Sequence, residues 1–199
     1  MNNFQYKKAV QLINFFTHKE GGEINRLKAV KLVWLADRLH LRQHYRLITE
    51  DTYYAMPRGP VPSNTLNLLK EGRGLTNEQF EYAQEIIQKK GNFTYTTKKS
   101  VYKKIFSITD CIAMEAVYEQ FGILDKYQLS ELSHTYPEWK RHEQTLKTKE
   151  TGRFKIDILD FFKNPITPTI ESVLFDQSFD DLQLTKELYL EEQALYNFL

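Results

Sequence analysis

Asn25-Arg26-Leu27-Lys28-Ala29-Val30-Lys31-Leu32-Val33-Trp34-Leu35-Ala36-Asp37-Arg38-Leu39-His40-Leu41-Arg42-Gln43-His44-Tyr45 is the stretch on which the fold turns. Asn25 carries the short side-chain oxygen that caps a helix start. Behind it, Leu27, Val30, Leu32, Val33, Trp34, Leu35, Ala36, Leu39 and Leu41 cover most of the circumference of one helix. A helix apolar on nearly every side has to be sheathed by others. The sequence therefore predicts a mainly α (α+β) fold, a multi-helix core around this central buried helix.

Before this helix, residues 4–18 place Phe4, Ala9, Leu12, Ile13 and Phe16 at helical period, and Gly21-Gly22 stops that helix. Residues 51–56 are short, aromatic and followed by Pro57, which predicts a strand. Pro60 and Pro62 lead into a helix over 63–70, ended by Gly72 and Gly74. A further helix is expected over 76–90, with Phe80, Ala83, Ile86 and Ile87 on one side. Phe93-Thr94-Tyr95 and Val101-Tyr102, around residues 97–100, predict a small hairpin. Ser107 and Asp110 form a capping-box start for a helix to Phe121, stopped by Gly122, and Asp125 opens another before Pro137. The polar stretch 141–153 is the candidate linker. After it come a short helix over 156–162, the breaker run Asn164-Pro165-Ile166-Thr167-Pro168 and an acidic terminal helix over 179–198. The expected division is a domain at 1–145 and, at 146–199, a linker with a helical C-terminal extension.

Formal net charge is +1 over 199 residues, but seven acids against Lys186 make residues 171–199 strongly acidic. The preceding residues are mildly basic, with six lysines and no acid in 89–104; that is weak beside a dedicated nucleic-acid binder. A single cysteine, Cys111, excludes an internal disulfide framework and fits a reducing cytoplasm, and its neighbours suggest an ordinary buried thiol. No apolar run approaches the ~20 residues of a membrane span. The first residues lead straight into an amphipathic helix, unlike a signal peptide. The expected location is cytoplasmic.

Candidate chemistry is sparse. His40 and His44, with Asp37 three residues earlier, have a spacing that could present metal ligands on one helix face; the plainer reading is a solvated face. Asp37 shares the face of Val30, Val33, Trp34 and Leu41, where a carboxylate must be paired or hydrogen-bonded. Arg58, Arg38 or the Tyr53 hydroxyl could supply the partner. It is either a buried anchor for the next loop or a catalytic acid, and no second carboxylate is spaced for general acid–base work. The prolines of Met56-Pro57-Arg58-Gly59-Pro60-Val61-Pro62-Ser63 remove the amides that a phosphate cradle needs, leaving a stiff connector in which Gly59, before Pro60, is expected to be extended. Such a rigid loop suits a docking ledge or a simple strand-to-helix turn. Ser133 and His134 point apart on a helix and make no hydrolase pair. The hairpin lysines with Tyr95 and Tyr102 fit either a nucleic-acid surface or a solvated, lysine-protected edge. No metal, cofactor or catalytic set is expected.

Lys31-Leu32-Val33-Trp34-Leu35-Ala36-Asp37-Arg38, then Ile48-Thr49, Asp51, Tyr53-Tyr54-Ala55-Met56 and Gly59-Pro60-Val61-Pro62-Ser63, resemble the core signature of the Panacea domain, the SocA-like antitoxin family. Leu132-Ser133-His134 with Trp139 resembles that family's second motif. The likeness covers residues 5–145, and Ala-Asp-Arg together with Gly-Pro-Val-Pro at this spacing is specific. The sequence departs from the family pattern at Trp34, where tyrosine is common, and at Tyr45, Leu47 and Glu50, where glycine, proline and glycine are favoured. The resemblance implies an antitoxin, not an enzyme, that neutralises a toxin encoded beside it by direct protein contact. One type of relative delivers its toxin to a protease as an adaptor. It carries over Lys31, Trp34, Asp37, Arg38, Tyr53, Ala55, Met56, Gly59, Pro60, Val61, Pro62, His134 and Trp139 as scaffold or contact positions. Toxin specificity is expected on variable surfaces, including the acidic terminal helix with Asp180, Asp181, Glu187, Glu191 and Glu192. Direct binding to nucleic acid, as a regulator, is the alternative and is not expected.

Overall fold

A computed structural model describes residues 4–70, 74–148, 152–165 and 170–198. Helix α1 (Tyr6–Lys19) and the short strand β1 (Glu23–Asn25) lead into α2 (Arg26–His44). Asn25 caps α2 as expected, accepting a hydrogen bond from the Leu27 amide at 2.9 Å. Fifteen residues of α2 are buried, from Lys28 to Arg42. Strands β2 (Tyr53–Met56) and β3 (Gly59–Pro62) follow, then α3 (Ser63–Leu69), α4 (Asn77–Ile86), β4 (Gln88–Lys89) and β5 (Thr94–Thr96). A 3-10 turn at Lys103–Ile105 precedes α5 (Ile108–Phe121) and α6 (Lys126–Ser133), opened by the predicted Ser107 with Asp110 and by the predicted Asp125, which Gln128 completes as a second capping box. Next come α7 (Pro137–Lys140), α8 (Glu143–Thr148) and β6 (Phe154–Lys155), 3-10 turns at Ile158–Phe162 and Ile170–Phe175, and α9 (Phe179–Phe198).

The fold is mainly α with two small antiparallel sheets, ordered β1-β5-β4 and β3-β2-β6. Helices α1, α5, α6 and α9 and strand β3 all pack on α2. The helix is apolar all round because it has neighbours all round.

The structure revises three local expectations. Residues 57–62 are not a plain connector: Gly59–Pro62 is a strand, pairing Tyr53↔Pro62, Ala55↔Pro60 and Met56↔Gly59. Pro60 and Pro62 are tolerated because β3 is an edge strand. Gly59 has φ +98, not an extended conformation, so the chain can reverse after Pro57-Arg58. The helix over 76–90 ends at Ile86, and the hairpin pairs β4 with β5 around Gly91 (φ +85); Val101 and Tyr102 take no part. Lastly, most of the stretch read as a linker is structured. Residues 143–148 are helical, Leu146 is buried, and the His142 ring stacks parallel on Phe154 at 5.4 Å. Beyond it, β6 pairs with β2, while Phe161, Phe162 and Phe175 enter the core. Of the breaker run, residues 166–168 lie outside the described residues.

Tyr45 and Glu50 adopt left-handed backbone, φ 46 and 50. These are two of the places where the sequence departs from the glycine of the family pattern. The backbone course is therefore the one glycine would favour, held by bulkier residues at a cost of about 1 kcal/mol each. Replacing the exposed C-cap residue, Tyr45→Gly, is expected to raise stability by about 1 kcal/mol, roughly 2–4 °C in Tm for a chain this long. Thermal unfolding of the two proteins checks it.

Candidate functional site

The charges of α2 require partners, because a buried charge without them costs several kcal/mol. Lys31, Asp37, Arg38, His40 and Arg42 are all fully buried. Each has its own set of partners, although Arg38 and Arg42 share the Lys163 carbonyl.

Lys31 Nζ donates to the Pro60 carbonyl at 2.7 Å, and burial pushes its pKa well below the usual lysine range. Asp37 accepts from the Ile48 amide (2.7 Å), the Thr49 amide (3.0 Å), the Thr49 hydroxyl and the Tyr53 hydroxyl (2.6 Å). Of the partners foreseen for it, Tyr53 is present and Arg38 and Arg58 are not among its bonds. Burial lifts its pKa to about 6 against the lowering effect of these hydrogen bonds. Arg38 Nε donates to Glu138 Oε1 at 3.0 Å, and its Nη2 to the Lys163 carbonyl at 2.5 Å. Its guanidinium lies 4.7 Å from the ring centres of both Tyr136 and Phe175. Trp34 Nε1 donates to the same Glu138 oxygen at 3.1 Å.

His40 is not on a solvated face. Its Nδ1 bonds the Arg46 carbonyl at 2.8 Å and its Nε2 the Thr109 hydroxyl at 3.0 Å, and burial depresses its pKa to about 4. Among the described residues no group of three His, Cys, Asp or Glu side chains is arranged to hold a metal ion. Arg42 donates to the carbonyls of Phe161 (2.9 Å), Lys163 (3.1 Å) and Phe175 (2.6 Å), and to the Asn164 and Gln177 side chains. It clamps the segment that precedes α9.

The β2–β3 hairpin is pinned from behind. Trp139 Nε1 donates to the Met56 carbonyl at 2.7 Å, and Ser130 Oγ to that of Arg58 at 3.0 Å. The His134 ring lies nearly flat on Trp139, with centroids 3.8 Å apart. A Cβ on Gly59 would overlap Ser133 Oγ and stand 2.5 Å from Lys31 Nζ. Asp51 serves the next element, accepting the Asn64 and Thr65 amides at 2.9 and 2.7 Å. It supplies to α3 the cap that Pro62 cannot.

The model of the antitoxin SocA-like family, Panacea domain, matches residues 30–140, more than half of the chain. The chain belongs to the SocA-like, Panacea-domain antitoxin family. Comparison with curated proteins and with solved structures finds no match. In the Panacea domain seen here, the first motif (Lys31, Trp34, Asp37, Arg38, Tyr53, Ala55, Met56, Gly59, Pro60, Val61, Pro62) and the second (His134, Trp139) form one contiguous module. Gly59–Pro62 is buried throughout, so the exposed docking ledge shrinks to Pro57 and Arg58 at the turn. The acidic set on α9 lies apart from the module: Asp180, Asp181, Glu187 and Glu191 are exposed and Glu192 is half-buried.

Perturbed pKa values often mark catalysis, but here the carboxylate of Asp37 and the amine of Lys31 are sealed and occupied by protein partners. They lock the hairpin to α2. Sequence reasoning missed Glu138 and Arg42, and gave Asp51 no role beyond its place in the signature. The signal for the first two was present, since every charge on an all-apolar helix demands a partner. Two other readings change. Cys111 is half-exposed and not buried, and Tyr95 is buried with its hydroxyl donating to the Leu69 carbonyl, which removes it from any basic–aromatic surface with Lys98, Lys99, Lys103 and Lys104.

Gly59→Ala is expected to destabilise the chain by about 2–4 kcal/mol, through the positive φ and the overlap at Ser133 and Lys31; denaturant unfolding measures it. For Asp37, the folded-state pKa of about 6 lies above its ordinary 3.8. The protonated form therefore favours the fold, and this contribution is full below pH 3.8 and lost as pH rises through about 6. Across that window Asp37→Asn is expected to gain stability relative to the wild type, whereas a constant difference would show that the carboxyl is not held protonated by burial. Glu50, lifted from 4.5 to about 7 mainly by burial, acts in the same direction.

Proposed function

We propose that this chain is a non-enzymatic antitoxin of the cytoplasm that neutralises a cognate toxin, encoded beside it, by direct protein contact and without a cofactor. Membership of the SocA-like family carries the reading. It is supported by the engagement of the motif side chains inside the fold, which leaves none of them poised for chemistry. In this reading the motif residues maintain the scaffold, and the partner is recognised elsewhere. The acidic face of α9 is the favoured contact, because exposed carboxylates of one sign steer and cover a basic surface such as a toxin's active site. Delivery of the toxin to a protease is a variant of the same binding event, distinguished by whether the toxin's half-life falls on co-expression.

Co-expression of the full chain with the product of the neighbouring gene tests the proposal. Relief of growth arrest is expected; a harmless neighbour, or toxicity left unrelieved, overturns it. Asp180→Asn, Glu187→Gln and Glu191→Gln together are expected to weaken the complex at least tenfold and to steepen the loss of rescue at low expression. Calorimetry on the purified pair gives the affinity. Truncation is a poorer probe when it reaches back past α9, since Phe175 is a fully buried core residue.

A further inference from the structure

A groove of about 490 Å3 opens between the start of α2, the β2–β3 turn, α3 and the start of α6. Its floor is aliphatic, made by Leu27, Val30, Met56, Val61 and Leu66. Its rim carries Arg26, Arg58, Lys70 and Lys126, and no acidic side chain is among its described lining residues. Phe93 and Tyr127 stand exposed on that rim, each beneath a cation: Arg26 at 4.8 Å and Lys126 at 4.9 Å from the ring centres. An apolar floor inside a ring of like charges is matched by an amphipathic segment bearing carboxylates.

Helix α9 has that chemistry. At 3.6 residues per turn, Leu184, Leu188 and Leu195 fall on one stripe, with Asp180, Glu187 and Glu191 along its edge. The three leucines are 58%, 38% and 67% exposed. Leu182, which is buried, and Tyr189, whose ring lies 5.8 Å from that of Phe162, hold α9 to its own body. The leucine stripe faces away and cannot reach its own groove. Gln177, just before α9, is tied to Arg42 near the end of α2, whereas the groove lies at Asn25–Val30, roughly 20 Å back along that helix.

We propose that the groove seats the α9 stripe of a second copy of the chain, reciprocally, in a closed two-fold dimer. A two-fold axis across α2 brings the α9 end of one copy over the groove end of the other, so both grooves fill and no open chain of molecules forms. Leu184, Leu188 and Leu195 cover the aliphatic floor while Glu187 and Glu191 meet Arg58 and Lys126. The dimer does not rest on the toxin reading. If both hold, toxin and second copy compete for one helix, and the dimer is the toxin-free state.

Sedimentation equilibrium of the full chain, from low to several hundred micromolar, tests it. A dimer that weakens with added salt is expected. Arg58→Glu with Lys126→Glu, and separately Glu187→Lys with Glu191→Lys, should each weaken self-association at least tenfold while circular dichroism stays unchanged. Mixing the two variants should restore a dimer, because both of its grooves then face opposite charge. A chain that is monomeric throughout, a dimer indifferent to both pairs of changes, or a mixture that fails to associate overturns the proposal. So does a wild-type monomer whose Arg58→Glu, Lys126→Glu variant loses toxin relief, since the groove would then belong to the toxin.

Discussion

Everything in this structure depends on placing five charged or titratable side chains of one buried helix where water cannot reach them. An apolar helix can slide or rotate within a bundle at modest cost. One that carries Lys31, Asp37, Arg38, His40 and Arg42 in its interior cannot, because each group must find its own partner to offset desolvation. The partners come from β3, from residues 48–53, from Glu138 in α7, from residues 46 and 109, and from the segment before α9. The polar groups of α2 thus act as an address code for the elements around it.

This arrangement explains why the family's two motifs, about 70 residues apart, belong together. Trp34 and Arg38 of the first share one oxygen of Glu138, the neighbour of Trp139 in the second. Trp139 in turn holds the hairpin through Met56. Two contacts close the circuit on the other side, Lys31 with Pro60 and the packing of Ser133 against Gly59. Such a module is closed on itself, each member held by at least one of the others. The acidic face of α9 lies outside it.

Residues beyond 145 are part of the same physical arrangement. Arg38 and Arg42 stack against Phe175 or bind backbone carbonyls between 161 and 175, and β6 extends the sheet begun by β2. The acidic helix is therefore mounted on the core through buried arginines. Its position relative to the motif module is set by directed hydrogen bonds to the segment that precedes it.

The sequence by itself determined the central helix and its cap, most helix starts, the family, and the need for a partner at Asp37. These are local matters: periodicity, capping oxygens and motif spacing are written in neighbouring residues. It did not determine that Gly59–Pro62 would pair as a strand, that residues 88–89 would leave their helix for β5, or that residues 143–148 would be helical. The backbone pairings themselves are short-range, but what favours them is packing against distant elements: Lys31 and Ser133 against the β2–β3 turn, β1 alongside β5, and the burial of Leu146. Nor could it set Glu138 against Arg38, across 100 residues. Pairings between distant charges are settled only when packing removes water from both at once, and that is a property of the tertiary structure.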